Sequence, residues 1–208
     1  MTSNIVGKFA AVLLLGAGLA GCMDADVEVS FMDSETAHVM TTTTMGADFY
    51  GMIKAAEAEA PADGDDAMGE FSESFCAEGD LTENADGSAV CVEMMHGTLD
   101  ELNAQNEEEG GIHFAAQDDG TVRVSMPMSA LNAQLGAEEE MDADTKAMMV
   151  AMFEGHAITF TIIGEEILDT NMTVSDDKTS VSLELEFAKL LAGDTEFPEE
   201  YYALVRTP

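Results

Sequence analysis

Residues 112–126 read Ile-His-Phe-Ala-Ala-Gln-Asp-Asp-Gly-Thr-Val-Arg-Val-Ser-Met. Two strand-forming runs flank Asp118, Asp119 and Gly120, and glycine reaches the positive φ that a tight hairpin turn needs. In the second run Val122, Val124 and Met126 alternate with Arg123 and Ser125, the period of two that turns one face to a core and the other to water. An antiparallel hairpin is expected here, and the same signature recurs along the chain.

Val27 to Met32 alternates and Ala37 to Met45 is rich in β-branched residues, which predicts two strands turning at Asp33 to Glu35. A strand pair is expected between Phe71 and Met95, with Asp86-Gly87 as its turn. Ile158 to Ile163, Asn171 to Val174 and Ser180 to Phe187 alternate cleanly, so the C-terminal third reads as an antiparallel meander with one wet face. Between these lie helical spacings. Phe49, Met52, Ile53 and Ala56 predict a helix over 47–59, and Thr98 with Glu101 three residues on has the form of a capping box. Ser129 to Leu135 and Thr145 to Glu154 predict two more, the latter with Met148, Met149, Met152 and Phe153 on its apolar face. Residues 60–67 and 103–111 read as loops. Consecutive strands joined by short turns indicate an α+β class: a curved antiparallel sheet with two to four helices packed on one face.

The chain opens differently. Residues 1–8 carry one positive charge, Lys8, and no acid, and Phe9 to Leu19 is almost wholly apolar. That run is about half of the roughly twenty residues a membrane-spanning helix needs, so it reads as an export signal. Leu19-Ala20-Gly21-Cys22 matches the lipobox of bacterial lipoproteins, in which small residues admit the processing peptidase and the cysteine thiol carries diacylglycerol. The alternative, an ordinary secretory signal ending by chance in cysteine, leaves that order of residues unexplained. Residues 1–21 are therefore set apart as signal peptide, and 22–208 as a single extracytoplasmic domain. Met23 rather than Asp follows the cysteine, which favours the outer membrane where a cell has two.

Composition bounds the rest. Of 208 residues 42 are acidic and 7 basic, a net charge of −35, so nucleic acid and anionic head groups are poor partners for the surface at large. Such a surface is what proteins of salty environments carry, where screening suppresses self-repulsion; loose sequestration of divalent cations is the functional alternative. Hydrophobic residues make up 46%, enough for a packed core. With Cys22 taken by lipid, Cys76 and Cys91 remain, and in an oxidising compartment that pair is expected to form a disulfide. A redox pair would sit closer, as in C-x-x-C.

Motifs of catalysis are missing from the sequence. His38, His96, His113 and His156 form no H-E-x-x-H pattern, and neither a G-x-S-x-G elbow nor a phosphate-binding G-x-x-x-x-G-K loop occurs. With 42 carboxylates some pair always lies near another, so paired acids are not informative. Thr82, Asn84, Asp86, Gly87 and Glu93 match part of an EF-hand loop, but the first position lacks its Asp and a hairpin turn explains them better. Sixteen methionines raise copper, for which Met94-Met95-His96 and Met148-Met149-x-x-Met152 are the candidates. The second group lies on an apolar helix face, where Met is ordinarily core filler. No enzyme activity, cofactor or metal is assigned on these grounds.

The chain resembles the LppM-type lipoprotein domains of bacteria. The resemblance rests on Gly21-Cys22 leading straight into a strand, on Ile158-Thr-Phe-Thr-Ile-Ile-Gly164 followed by Asn171, on the Asp176-Asp177 turn and on the alternating run from Thr179 to Phe187. Members carry Pro-Gly where Ile163-Gly164 stands, and an aromatic residue in place of Leu183 or Leu185. The resemblance implies a membrane-anchored, β-rich domain that handles lipids or envelope glycolipids, without catalytic residues. The expected function is accordingly non-enzymatic: binding of an envelope lipid or another apolar component, with Phe49, Met52, Met149 and Phe153 as pocket lining. The alternatives are an assembly lipoprotein docking a protein partner through a sheet edge, and copper or calcium binding.

Overall fold

The computed structural model describes residues 23–59, 75–77, 79–106, 111–117, 119–128, 146–147, 150–151, 153–192 and 197–208. Its first hairpin joins β1 (Met23–Phe31) to β2 (Thr36–Met45). The Asp33 carboxylate holds the turn, accepting the Glu35 and Thr36 amides at 2.8 Å and the Thr36 hydroxyl. Helix α1 (Ala47–Glu59) follows Gly46, with Asp48 in its first turn beside the positive end of the helix. Next come β3 (Asp80–Glu83), β4 (Ala89–Thr98) and helix α2 (Leu99–Asn106). The capping box forms as expected: Glu101 accepts the Thr98 amide at 2.9 Å, and the Thr98 hydroxyl accepts the Glu101 amide at 3.2 Å.

The hairpin around Gly120 consists of β5 (His113–Ala116) and β6 (Thr121–Pro127). Beyond it lie β7 (Ala157–Ile163), β8 (Glu166–Thr170), β9 (Thr173–Val174), β10 (Ser180–Glu186), helix α3 (Phe187–Ala192) and β11 (Glu200–Arg206). One device recurs at three turns: Asp86-Gly-Ser88, Asp119-Gly-Thr121 and Asp177-Lys-Thr179. In each the carboxylate accepts the hydroxyl two residues on. The middle residue takes the left-handed conformation, at φ 91° for Gly87, 75° for Gly120 and 61° for Lys178.

The class is α+β, with three helices among the described residues, but the strands divide between two sheets. The first has seven strands in the order β3-β4-β2-β1-β7-β10-β9, the second four in the order β5-β6-β11-β8. Neighbours are antiparallel except β1 and β7, which run parallel from Ala25 opposite Ile158 to Ser30 opposite Ile163. Val29, Phe31, Val39, Ile162 and Val181 of the first sheet share a cluster with Phe114, Val122, Val124, Ala203 and Val205 of the second. Leu99 and Leu102 of α2 join it. Burying one such Val, Leu, Ile or Phe side chain stabilises by about 1.5–3 kcal/mol. Helix α3 adds Phe187, Leu190 and Leu191 to a second cluster with Ala25, Ile158, Leu185 and Phe153.

Several expectations need correcting. The C-terminal third is not a simple meander, because β8 leaves for the second sheet and pairs with β11 while β10 pairs with β7 and β9. The crossing occurs at Gly164, whose amide donates to Thr179 while that of Glu165 donates to Arg206, both at 2.9 Å. A Cβ on Gly164 would strike Val205 Cγ1 and lie 2.9 Å from the Arg206 carbonyl oxygen, so glycine lets β11 pass. Phe187 begins a helix rather than ending a strand, and β8 and β11 arise where no strand was expected. Of the expected helix over 145–154, residues 146, 147, 150 and 151 are helical. The helix expected over 129–135 and the loop expected over 60–67 lie outside the described residues.

Candidate functional site

Strand β1 begins at Met23, the residue after Cys22, which itself lies outside the described residues. Met23 is 3% exposed and stands opposite Met45, which in turn stands opposite Ala89. Phe49, Tyr50 and Ile53 of α1 pack onto these three. Next along, Asp24 accepts the Ala157 amide at 3.0 Å, and its second oxygen lies 3.2 Å from His156 Nδ1. The strand that follows Cys22 is therefore fastened to β2, α1 and the start of β7 within two residues.

The same end holds the disulfide. Cys76 and Cys91 are bonded, with Cα atoms 5.5 Å apart, and Cys91 stands opposite both Thr43 and Leu81. Beside it Glu83 accepts the Tyr50 hydroxyl at 2.7 Å and Lys54 Nζ at 2.6 Å, and Lys54 first, then Tyr50, holds its carboxyl below 4.5. The other depressed carboxylates belong to turns and caps. Asp33 lies below 3.8 chiefly through the Glu35 amide, and Asp86, Asp119 and Asp177 through the hydroxyls of Ser88, Thr121 and Ser175. The Thr98 amide lowers Glu101, and the Tyr202 hydroxyl, which donates to Asp169, is raised above 10.0. Asp86 thus serves a hairpin turn rather than an EF-hand loop.

The expected pocket residues do not converge. Phe49 lies in the cluster under α1 and Phe153 in the one around α3, whereas Met52 is 56% exposed on α1. Met149 lies outside the described residues, as do Met148 and Met152. Helical spacing places Met52 near Phe49 on a wheel, yet the packed face runs through Phe49, Tyr50 and Ile53. The run Met94-Met95-His96 is split by the strand period: Met95 packs toward the core, and Met94 and His96 face outward. Among the described residues, no three side chains of His, Cys, Asp or Glu gather to hold a metal ion, and no helix is long and apolar enough to cross a membrane.

Sequence reasoning missed two side chains that close the second sheet. Asn103 of α2 donates to the Phe114 carbonyl at 2.7 Å and accepts the Phe114 amide at 2.8 Å, in the manner of a neighbouring strand. Asn171 donates to the Glu200 carbonyl and accepts the Tyr202 amide, both at 2.9 Å, just beyond the reach of β8. Edge backbone that would otherwise invite another strand is thereby satisfied. No local signal marks these two residues, because their partners are 11 and about 30 positions away.

No known family profile matches the chain, and no curated protein does. Among solved structures it is similar to the NMR structure of the folded domain of LppM from Mycobacterium tuberculosis. The identity is 12%, the match covers 89% of this chain and 90% of that one, and the TM-score is 0.46.

Proposed function

We propose that the chain is an envelope lipoprotein whose Cys22 carries the lipid and whose α+β domain works by binding, not by catalysis, at the membrane surface. The observation that carries this reading is the absence of any spacer between Cys22 and β1. A trans peptide sets Cα atoms about 3.8 Å apart, so an acylated Cys22 would hold the Met23 end of the domain against the head groups. Each methylene of the acyl chains contributes about 0.8 kcal/mol, and several chains on one cysteine give lasting attachment. Helix α1 lies at that end, with Met52 turned outward.

Within this reading the bound partner is an amphipathic envelope component or an envelope protein that meets the anchored end or the outer face of the seven-stranded sheet. Two observations favour such surfaces. Phe49 and Phe153 sit in separate clusters, and Asn103 and Asn171 occupy edge positions of the second sheet. The test is fractionation of a Gram-negative host expressing the full chain. The unaltered protein is expected in the outer-membrane fraction, and Cys22→Ala is expected to lose lipid attachment and processing. Recovery of the unaltered protein in the soluble periplasmic fraction would contradict the proposal.

A further inference from the structure

The outward face of the seven-stranded sheet carries a cluster that membrane anchorage does not use. His38 on β2 stands directly opposite His96 on β4, and their rings stack 5.8 Å apart at 27°. The pair of residues two positions along, Met40 and Met94, is also directly opposed. The strand period therefore sets all four side chains on one face, with neighbouring rungs within reach of long side chains. From the turn after β1, Met32 brings its Sδ to 2.8 Å from His38 Nε2. Two imidazoles and three thioethers thus gather over neighbouring strands.

Burial does not account for these methionines. Met94 is 70% exposed and Met32 60%, the two highest values among the exposed large hydrophobic side chains of the described residues. Both flank the histidine pair. The donor set accounts for them better, because imidazole nitrogen and thioether sulfur together suit Cu(I), whereas hard cations prefer the carboxylates abundant elsewhere. A metal about 2 Å from one nitrogen of each ring, the length usual for metal–imidazole bonds, spans a ring separation of this size. Glu28, opposite Met40, adds negative charge beside the cation.

We propose that Met32, His38, Met40, Met94 and His96 form a surface site for one Cu(I) ion, with the two imidazoles as principal ligands and the thioethers completing the shell. The test uses the full chain in detergent micelles, titrated anaerobically with Cu(I) against the chromophoric chelator bathocuproine disulfonate. One Cu(I) per chain is expected, with nitrogen and sulfur neighbours in the copper K-edge fine structure. His38→Ala/His96→Ala is expected to weaken binding by more than the roughly 10–100-fold that loss of an outer-shell partner costs. Met32→Leu/Met40→Leu/Met94→Leu is expected to remove sulfur scattering while circular dichroism is unchanged. Three results would overturn the proposal: no copper held against the chelator, equal binding by the double histidine variant, or a wild-type spectrum lacking either nitrogen or sulfur.

Discussion

At the scale of single residues, short polar side chains set the conformation of the turns. The Asp-x-Ser/Thr turns at 86–88, 119–121 and 177–179 hold carboxylates whose pKa is lowered by the groups they accept from. A lowered folded pKa means stability that is present above the unfolded value of 3.8 and is lost as pH falls through the lower folded value. Carboxyl-carbon NMR is expected to show Asp33, Asp86, Asp119 and Asp177 titrating below the bulk of the aspartates. Midpoints at or above 3.8 would show that these hydrogen bonds are not kept in solution. Gly164 is the other residue of consequence. Gly164→Ala forces β11 away from the crossing and is expected to destabilise by about 2–3 kcal/mol in urea unfolding, in the range of overpacked cores. The turns at 86–88 and 119–121 were legible from Asp-Gly, whereas the one at 177–179, with Lys178 in the middle, was marked by Asp176-Asp177 between alternating runs. The need for Gly164 was not, because Val205 is far away in sequence.

At the scale of elements, local signals served well and distant ones poorly. The β1–β2 hairpin, the hairpin around Gly120 and the cap at Thr98 and Glu101 need only contacts between near neighbours, and all three form. The parallel pairing of β1 with β7 joins residues more than 130 positions apart, and periodicity cannot name such a partner. Strand β11 is a different case: Tyr201, Tyr202, Leu204 and Val205 form a strand-like run between Pro198 and Pro208, a readable signal that the alternation to Phe187 overshadowed. The candidate site divides in the same way. The Cys76–Cys91 pair was legible, whereas His38 joins His96 only through the β2–β4 register. Asn103 tests the element scale directly. Asn103→Ala leaves the Phe114 amide and carbonyl without their strand-like partner, and about 1–3 kcal/mol of stability should be lost. Hydrogen exchange should quicken at Phe114 while β6 remains protected; unchanged exchange would mean that water replaces the side chain fully.

At the scale of the whole molecule, a chain of net charge −35 folds into two packed sheets, and one disulfide ties Cys76 to β4 of the first. Self-repulsion of that magnitude is screened by salt, since the Debye length shrinks from about 10 Å at 0.1 M to about 3 Å at 1 M. The melting temperature is expected to rise across this range by several degrees, and a flat response would mean that the acidic surface contributes little to stability. Cys76 and Cys91 are 15 positions apart, and closing a loop of that length stabilises by about 3 kcal/mol in the chain-entropy account.

We propose that the folded domain starts one residue after its lipid. Intact-mass analysis of the full chain, expressed in a lipoprotein-processing bacterium and extracted from membranes, tests it most directly. The expected product is a polypeptide beginning at Cys22 with the added mass of a diacylglyceryl group and an N-terminal acyl chain. A chain beginning elsewhere, or at Cys22 with no lipid mass, would contradict it.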